Sequence, residues 1–288
     1  GLVSLPSTVQ AHKEIWTVGH GADYDFNEDN YPAYPAAIQA AVDSAGAGDR
    51  IIVAEGNFAG ATVNKAVEIV GSGNETVIVS GPKHPIFYSL GYRVGFVVSG
   101  GPGATIRNLK VFCNSFPLIL GVLIVSSDNT TVEHVLIQTP IEGINLFASD
   151  LCEITHNTIV GQLAPAYNAI NLINGASWGW KGPVTNNRVA FNNIENAAGG
   201  GICLKGSYPF PVTLNTIEKN RINNPSGEGI VLSGSAQFVY GNLFAFNDLR
   251  GSSDEIWCSD SSLLTANTFD RNLGSEPPNQ PNRGVGSN

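Results

Sequence analysis

The first candidate for acid–base chemistry in this 288-residue chain is Lys205, at the end of the apolar run Gly201-Ile-Cys-Leu-Lys205. An ammonium group can neutralise a carboxylate on a substrate, and a lysine with a lowered pKa can take a proton from the adjacent carbon. Both steps are needed to cleave a polymer of uronic acids by elimination. The alternative is an ordinary surface lysine, the commoner outcome for any single lysine.

Acidic residues stand just before similar apolar runs. Glu228 precedes Gly229-Ile-Val-Leu, Asp254 begins Asp254-Glu-Ile-Trp-Cys, and Glu142 precedes Gly143-Ile-Asn-Leu. Two carboxyl groups at a suitable separation can hydrolyse a glycosidic bond. Glu228 and Asp254 are therefore the candidates for catalytic carboxyl groups, and solvated turn residues are the simpler interpretation.

Two segments that follow apolar runs, 173–183 and 205–211, are longer than their counterparts elsewhere in the chain. Flat aromatic rings stack well on sugar rings, and loops on a rigid scaffold often carry function. Packing of the loops against the scaffold is the alternative role for these aromatics. The candidate substrate-binding residues in the two segments are Trp178, Trp180, Lys181 and Tyr208.

An acidic segment near the N-terminus alternates oxygen-bearing side chains in the manner of calcium loops, at Asp23, Asp25, Asn27 and Asp29. It lacks the glycine and the glutamate of an EF-hand, so it predicts a calcium site of another kind or an exposed acidic loop. His134 and His156 occupy matching places in consecutive repeats. We expect them to stack in a turn column that Asn108 and Asn186 continue, in preference to binding a metal.

Internal repetition predicts the elements that position these residues. Short apolar strands of one type recur after about residue 121, and each is followed by a turn and a second strand. The recurring strands are Gly121-Val-Leu-Ile, Gly143-Ile-Asn-Leu, Ala169-Ile-Asn-Leu, Gly201-Ile-Cys-Leu, Gly229-Ile-Val-Leu and Glu255-Ile-Trp-Cys. Coils of roughly two dozen residues that stack along one axis are typical of a parallel β-helix.

Asparagines recur in phase with these strands, in two columns. At a spacing of about 4.8 Å between coils, identical Asn side chains can hydrogen-bond to one another down the stack. The first column is predicted to hold Asn157, Asn187, Asn215, Asn242 and Asn267, and the second to hold Asn192, Asn220, Asn247 and Asn272. The predicted fold is an all-β, single-stranded, right-handed parallel β-helix.

Strand alternation predicts which side chains of the recurring strand face outward. One outward column is Leu123, Asn145, Asn171, Cys203, Val231 and Trp257, and the next is Val125, Phe147, Ile173, Lys205, Ser233 and Ser259. This face is unusually apolar for exposed surface, which indicates a ligand, a covering segment or self-association. Asn145, Phe147, Asn171 and Trp257 are therefore candidate substrate-binding residues.

The segment before the coils predicts a capping helix, with Ile38, Ala41, Val42 and Ala45 at helical spacing and Pro35 in its first turn. The whole chain, residues 1–288, is interpreted as a single domain. Residues 1–50 form the N-terminal segment with its cap helix, 51–273 the coils, and 274–288 an irregular tail that lies along the solenoid or moves freely.

Composition limits the partners. The net charge of −9 disfavours nucleic acid and anionic lipid, and no apolar run is long enough to span a membrane. The four cysteines, Cys113, Cys152, Cys203 and Cys258, lack metal-binding spacing and suit packing. Two glycosylation sequons, at Asn74 and Asn129, favour a secreted or extracellular protein.

The opening segments Ala37-Ile-Gln-Ala-Ala-Val-Asp, Gly48-Asp-Arg-Ile-Ile-Val-Ala-Glu-Gly-Asn-Phe and Val67-Glu-Ile-Val-Gly-Ser-Gly resemble the start of the pectate-lyase-like superfamily. The later coils resemble its β-helix repeats, including those called NosD-like. The resemblance covers nearly the whole chain and implies the β-helix fold. It does not specify the chemistry, because the superfamily includes lyases, hydrolases, esterases, epimerases, adhesins and binding proteins.

Three functions follow as hypotheses. The first is a carbohydrate-active enzyme, a polysaccharide lyase that uses the groove around Lys205, with glycoside hydrolysis as a variant. The second is a non-catalytic binding or structural solenoid, which the scarcity of ionisable groups on the groove supports. The third is an isomerase or cyclase for a small apolar molecule, which the outward Leu123, Phe147, Ile173, Val231 and Trp257 suggest.

Overall fold

The computed structural model describes residues 13–30, 36–85, 90–113, 117–138, 140–161, 167–197, 199–224 and 226–274. The predicted 274–288 tail, apart from Gly274, and Pro35 lie outside these ranges. The described residues form short parallel strands, two α-helices and three short 3-10 helices, at Glu28–Asn30, Gly73–Glu75 and Ala176–Trp178.

The N-terminal part contains the capping helix and the first coils. In chain order its elements are β1 (Ile15–Gly19), β2 (Phe26–Asn27), α1 (Ala37–Ser44), β3 (Arg50–Val53), β4 (Gly56–Ala59), β5 (Thr62–Val63), β6 (Glu68–Gly71), β7 (Thr76–Ser80), β8 (Arg93–Ser99) and β9 (Thr105–Phe112).

The middle coils contain the longest strands. They are β10 (Leu118–Val125), β11 (Thr131–Gln138), β12 (Glu142–Phe147), β13 (Glu153–Thr155), β14 (Thr158–Val160), β15 (Ile170–Ile173), β16 (Val184–Thr185), β17 (Arg188–Ala190) and β18 (Asn193–Glu195).

The last coils repeat this arrangement with shorter strands. They are β19 (Ile202–Lys205), β20 (Val212–Thr213), β21 (Thr216–Glu218), β22 (Arg221–Asn223), β23 (Glu228–Ser233), β24 (Val239–Tyr240), β25 (Leu243–Ala245), β26 (Asp254–Cys258), α2 (Ser262–Ala266) and β27 (Thr268–Asp270).

These strands stack into three sheets, and every pair of named strands is parallel. The front sheet has eight strands in the order β5-β8-β10-β12-β15-β19-β23-β26, and the side sheet has three, β16-β20-β24. The remaining sixteen strands form the back sheet, whose main path runs from β2 to β27. Successive strands of a sheet are one coil apart in sequence, which confirms the predicted right-handed parallel β-helix.

The interior of the coils is one continuous apolar core that extends from Val18 to Leu263. In the front sheet, the predicted inward isoleucines align across the stack at positions 144, 170, 202, 230 and 256. The first four are fully buried, and Ile256, in the last coil, is partly buried. Strand alternation in the sequence was therefore sufficient to identify the core face.

Two asparagine ladders run along the stack, each at one bend of successive coils. In the first ladder, Asn187, Asn215, Asn242 and Asn267 are linked by side-chain hydrogen bonds of 2.9 Å. The second ladder links Asn157, Asn192, Asn220, Asn247 and Asn272 at 2.9–3.0 Å. After the first member of each ladder, every side-chain oxygen also accepts the backbone N–H of the preceding asparagine, so the ladder fixes backbone and side chain together.

The assignment of Asn157 to the first ladder was wrong. Its side-chain amide donates to Asn192, and its side-chain oxygen accepts the backbone N–H of Val135, both in the second column. Cys152 holds the first-ladder place in that coil, and its N–H donates to Asn187. Both bends carry the same Asn-x-aliphatic pattern, so only the pairing between coils distinguishes them.

A left-handed turn column lies on the outside of the back sheet. Its members all have φ between +48° and +58°, and they are Asn108, His134, His156, Phe191, Lys219, Phe246 and Arg271. The rings of His134, His156 and Phe191 stack at 4.9 Å, as predicted for the two histidines. Asn186 belongs to a different bend, since it lies three residues before Val189 and Phe191 two after it.

The N-terminal end of the stack is closed by α1, as the sequence predicted. Ile38, Ala41 and Val42 are fully buried against the first coils. The C-terminal carbonyls of the helix accept three hydrogen bonds of 2.8–3.0 Å from the Lys65 ammonium group. A cation at this end of a helix is stabilising because it opposes the helix dipole.

We expect Asn220→Ala to lower the free energy of unfolding by about 3 kcal/mol, because it breaks four buried hydrogen bonds and leaves neighbouring polar groups unpaired. Asn272→Ala, at the end of the same ladder, is the matched control and should cost much less. Chemical denaturation of the two variants measures the difference. Equal losses would contradict a role for the ladder interior.

Candidate functional site

The outer face of the front sheet has the predicted register. Leu123, Asn145, Asn171, Cys203, Val231 and Trp257 align in one column, and Val125, Phe147, Ile173, Lys205 and Ser233 align in the next. The sequence therefore identified which side chains share this face. It did not identify how far each is exposed.

The part of this face that β8, β10 and β12 form is largely buried. Val94, Val97, Leu120, Leu123, Val125 and Phe147 form a second apolar cluster outside the main core, and Trp180 packs against it. Phe147 is only 3% exposed. This corrects the prediction of an open apolar face, because Phe147 contacts its own chain and is not available to a substrate.

The first aromatic loop, residues 173–183, covers Phe147. The ring of Trp178 meets Phe147 edge-on at 5.1 Å between centroids, and the ring of Trp180 lies at 4.7 Å. Gly175 has φ of +48°, and a side chain there would come within 3.1 Å of Trp180. Trp178 is still 40% exposed, so one of the two predicted tryptophans presents a surface to solvent.

The second aromatic loop, residues 205–211, is hydrogen-bonded to the first through Asn174. Its amide donates to the carbonyl oxygens of Phe210, at 2.7 Å, and Ser207, and its oxygen accepts a hydrogen bond from the Ser207 hydroxyl at 3.2 Å. Tyr208 is 80% exposed at the tip of this loop. Asn174 positions both loops, and its local sequence does not distinguish it from the other asparagines.

A polar network occupies the outer face beside the buried cluster. Asn145 donates to one carboxyl oxygen of Glu142 at 2.8 Å, and Asn171 donates to the side-chain oxygen of Asn145 at 2.8 Å. Asn168 donates to Asn171 at 2.9 Å. Asn145 and Asn171 are at most 2% exposed, so these two predicted substrate-binding residues hold Glu142 instead.

Glu142 faces outward because the strand is irregular at Gly143. The N–H groups of Gly143 and Ile144 both donate to the carbonyl of Ala169, which places two residues against one, as in a bulge. Simple alternation would put Glu142 on the same side as Ile144. The glycine at position 143 permits this close approach, since a side chain there would meet the Ala169 carbonyl at 2.5 Å.

Burial raises the pKa of the Glu142 carboxyl above its ordinary value, and the hydrogen bond from Asn145 only partly opposes this. A carboxyl whose pKa is raised by its surroundings is a candidate to give or take a proton. Sequence reasoning placed Glu142 among acids at the sheet entrance but did not single it out. The signal was its position before Gly143 in the repeat.

Lys205 is the last residue of β19. It lies on the same face, between Ile173 and Ser233 in its column, and is exposed. Within the described part of the chain it forms no ion pair. Cys203, next to it, is buried, and burial raises the pKa of its thiol to about 12. Lys205 lowers that pKa, and Glu142 and Glu228 raise it, so all three groups lie near enough to Cys203 to influence its thiol.

The remaining candidates belong to the last two strands of the front sheet and to the first aromatic loop. Glu228 is half-buried and pairs in register with the exposed Asp254, so the two acids are neighbours at the edge of the sheet. Trp257 is half-buried and follows Val231 in its column. Lys181 is exposed in the first aromatic loop.

The predicted calcium residues serve other contacts. Asp25 accepts hydrogen bonds from Thr17, and Asp29 pairs with His20 at 2.8 Å. Asn27 accepts the N–H groups of Gly21 and Asp29, and Asp23 is exposed. Through all the described ranges, no three His, Cys, Asp or Glu residues come together in a group that could hold a metal ion.

Glu142 should make the protein less stable as the pH rises. Its folded-state pKa is above the ordinary value of 4.5. The stability that the protonated carboxyl contributes at acid pH is therefore lost as the pH rises from about 4.5 through the raised pKa. Glu142→Gln mimics the protonated carboxyl and should unfold at higher denaturant than the wild type above this range, with no difference below it. The control is Glu75→Gln, an exposed residue of a 3-10 helix. A pH-independent difference between Glu142→Gln and wild type would contradict this assignment.

Solved structures similar to this chain are parallel β-helix proteins. An alginate lyase from Paenibacillus sp. str. FPU-7 has 15% identity and a TM-score of 0.55, with 83% of this chain and 84% of that chain covered. The catalytic domain of a GH87 alpha-1,3-glucanase has 17% identity and a TM-score of 0.55, with coverage of 78% and 40%. An exopolygalacturonase from Thermotoga maritima has 12% identity and a TM-score of 0.52, with coverage of 77% and 63%.

The matched region thus spans most of the alginate lyase but less than two thirds of the glucanase and the exopolygalacturonase. At such identities the similarity shows the fold alone. A comparison with curated protein sequences gives no significant match. No helix in the described residues is both long and apolar enough to cross a membrane.

A family model with the description "Periplasmic copper-binding protein (NosD)" matches residues 57–262. Copper binds to imidazole, thiolate or thioether ligands. The sequence has no methionine, the cysteine thiols have pKa values raised to about 12 by burial, and the described residues contain no metal-binding cluster. These residues do not fit a copper centre. The match nevertheless covers well over half of the 288 residues, and the chain belongs to the NosD family of parallel β-helix proteins.

Proposed function

We propose that this protein binds an acidic polysaccharide along the front sheet and cleaves it as a lyase. The observation that carries the proposal is the position of Lys205, an exposed cation in an outer column of the same face that carries the Glu142 network. A uronate-containing polymer supplies the carboxylate that such a cation would neutralise. The name of the alginate lyase with a similar fold agrees with this substrate class.

Binding would use the two aromatic loops. Trp178 and Tyr208 expose aromatic surface, and Lys181 and Lys205 supply positive charge on an otherwise acidic protein. Sugar rings stack on aromatic faces, and uronate groups pair with lysine. Because Asn174 joins the two loops, the aromatic and cationic groups form one binding surface.

The elimination needs three groups. The Lys205 ammonium would neutralise the uronate carboxylate and so acidify the proton on the adjacent carbon. The Glu228 carboxylate would take that proton, and the electron pair of the broken C–H bond would form the double bond as the glycosidic C–O bond breaks. Burial raises the pKa of Glu142 and so favours its protonated form, which would give its proton to the departing oxygen.

Non-catalytic polysaccharide binding is the second candidate. The hydrogen bonds that Asn145, Asn168 and Asn171 make among themselves and with Glu142 favour it, because these amides are engaged within the protein. Hydrolysis by Glu228 and Asp254 is a variant of the enzymatic proposal. The third hypothesis, an isomerase or cyclase for an apolar molecule, loses its basis because much of the apolar face is buried.

A polysaccharide substrate agrees with a location outside the cytoplasm, and the family description names the periplasm. We therefore propose a periplasmic or extracellular location. Nucleic acid and membrane surfaces stay disfavoured as partners by the net charge of −9.

The test is incubation with alginate, polygalacturonate and other uronate polymers, with and without calcium, while the ultraviolet absorbance of unsaturated uronate is followed. We expect product from at least one polymer. Lys205→Ala should lower kcat/KM by about 100-fold or more, since it removes the charge that stabilises the transition state. Lys13→Ala, which removes a lysine near the N-terminal cap, should leave the rate unchanged.

The outcomes separate the candidates. Absence of unsaturated product from every polymer, together with measurable binding that Lys205→Ala weakens, would replace the lyase with a binding function. Appearance of reducing ends without unsaturated product would indicate hydrolysis. Neither activity nor binding with any polymer would overturn the proposal altogether.

A further inference from the structure

A cleft with two arginines lies on the outer side of the back sheet, between two successive coils. Its volume is about 310 Å³. The residues that line it are Arg221, Ile222, Asn223, Asp248, Arg250 and Gly251. The strand that contributes three of them, β22, belongs to the back sheet, whereas Lys205 belongs to the front sheet. The cleft is therefore separate from the site around Lys205.

Strand alternation and one glycine shape this cleft. Ile222 is 1% exposed and faces the core, so Arg221 and Asn223 on either side of it face outward and are exposed. In the next coil, Asp248 forms a parallel bridge with Arg221. Gly251 leaves the space that Asn223 occupies, because a Cβ atom at position 251 would collide with the Asn223 side-chain oxygen.

The two guanidinium groups of the cleft differ in their partners. Arg250 donates two hydrogen bonds to the Asp248 carboxylate, at 2.8 and 2.7 Å. Arg221 lies 4.0 Å from the Glu195 carboxylate, and among the residues that the structure describes its guanidinium donates no hydrogen bond. The two arginine side chains are 65% and 64% exposed. Arg221 thus presents N–H donors that a ligand can engage.

The Asp248 carboxylate does not neutralise the cleft. The hydrogen bond from Arg250 is the main cause that holds the pKa of Asp248 below its ordinary value, and the charge of Arg221 contributes to a smaller extent. Asp248 is therefore ionised at neutral pH and engaged with Arg250. The lining side chains carry two guanidinium groups and this one carboxylate, which leaves an excess of one positive charge.

Further cations lie next to the cleft, on the left-handed turn column. Lys219 and Arg271 are exposed there, over the rings of Phe191 at 5.1 Å and Phe246 at 4.5 Å. Arg271 pairs with Asp270, whereas Lys219 forms no ion pair within the described ranges. Because these residues belong to successive coils, the cations extend beyond the cleft along the stack.

We propose that this cleft binds a carboxylate of an acidic polysaccharide through Arg221 and Arg250, as a second, non-catalytic site. The planar fork of a guanidinium group matches a carboxylate, and the excess positive charge is complementary to it. A polymer with a carboxylate on each sugar can also contact Lys219 on the neighbouring bend. The choice of a uronate polymer rests on the proposed function, whereas the preference for an anion rests on the cleft itself.

Two sites on one molecule suit a polymeric ligand. A chain held at the cleft stays near the protein when it leaves the front sheet, so rebinding is favoured by a high effective concentration. The cleft would therefore increase retention on the polymer and take no part in its cleavage.

The test is affinity electrophoresis through gels that contain polygalacturonate, carried out on Lys205→Ala so that cleavage does not consume the polymer. Adding Arg221→Gln should raise the Kd about three- to tenfold, because it removes an exposed charge-assisted contact. Arg221→Lys, which keeps the charge, should recover part of the affinity. The matched control is Arg50→Gln, which removes an exposed arginine at the other end of the same sheet and should leave the Kd unchanged.

The outcomes separate this site from the front sheet. An unchanged Kd with Arg221→Gln would overturn the cleft and leave the proposed lyase intact. Absence of cleavage by the wild type, together with the expected loss in Arg221→Gln, would overturn the lyase and support the cleft. An equal loss on fully methyl-esterified polymer would exclude a carboxylate as the ligand. Arg221-dependent binding of single-stranded DNA without binding of polygalacturonate would also overturn the proposal.

Discussion

The structure depends on the hydrogen bond that an asparagine side chain makes to the same residue in the next coil. After the first member of each ladder, every oxygen accepts a side-chain and a backbone donor from the coil beneath, and all but the last members of the ladders are almost completely buried. A buried amide without such partners is costly, so the ladder permits only one alignment of successive coils. The coil spacing and the place of each bend follow from this.

The outer face gains its organisation from the same alignment. Because the coils are in register, Lys205 stands in one column with Phe147 and Ile173, and the loops that follow β15 and β19 lie side by side. Asn174 then joins those loops, in the same way that the ladders join the bends. The close approach of small residues at Gly143 turns Glu142 outward, which adds a carboxyl to a face that alternation makes apolar.

Membership of the NosD family and similarity to carbohydrate-active enzymes describe the scaffold of this protein. The residues that define the inner columns and ladders are those that any such scaffold requires. The outer columns and the two loops lie outside the main core and the two ladders, and loops on a rigid scaffold often carry function. The proposed chemistry accordingly lies in Glu142, Lys205 and the aromatic loops, and the described residues hold no group of three His, Cys, Asp or Glu side chains that could bind a metal ion.

The sequence by itself determined the β-helix, the cap helix, the inward isoleucines and the two outward columns, because strand alternation and a constant repeat depend only on local order. It could not assign Asn157 to its ladder, since both bends carry the same local pattern. The burial of Phe147 and the outward turn of Glu142 were decided only by the tertiary structure. The first depends on a loop that returns from a later coil, and the second on the approach of two backbones at Gly143 and Ala169. Contacts between distant parts of the chain leave no local signal.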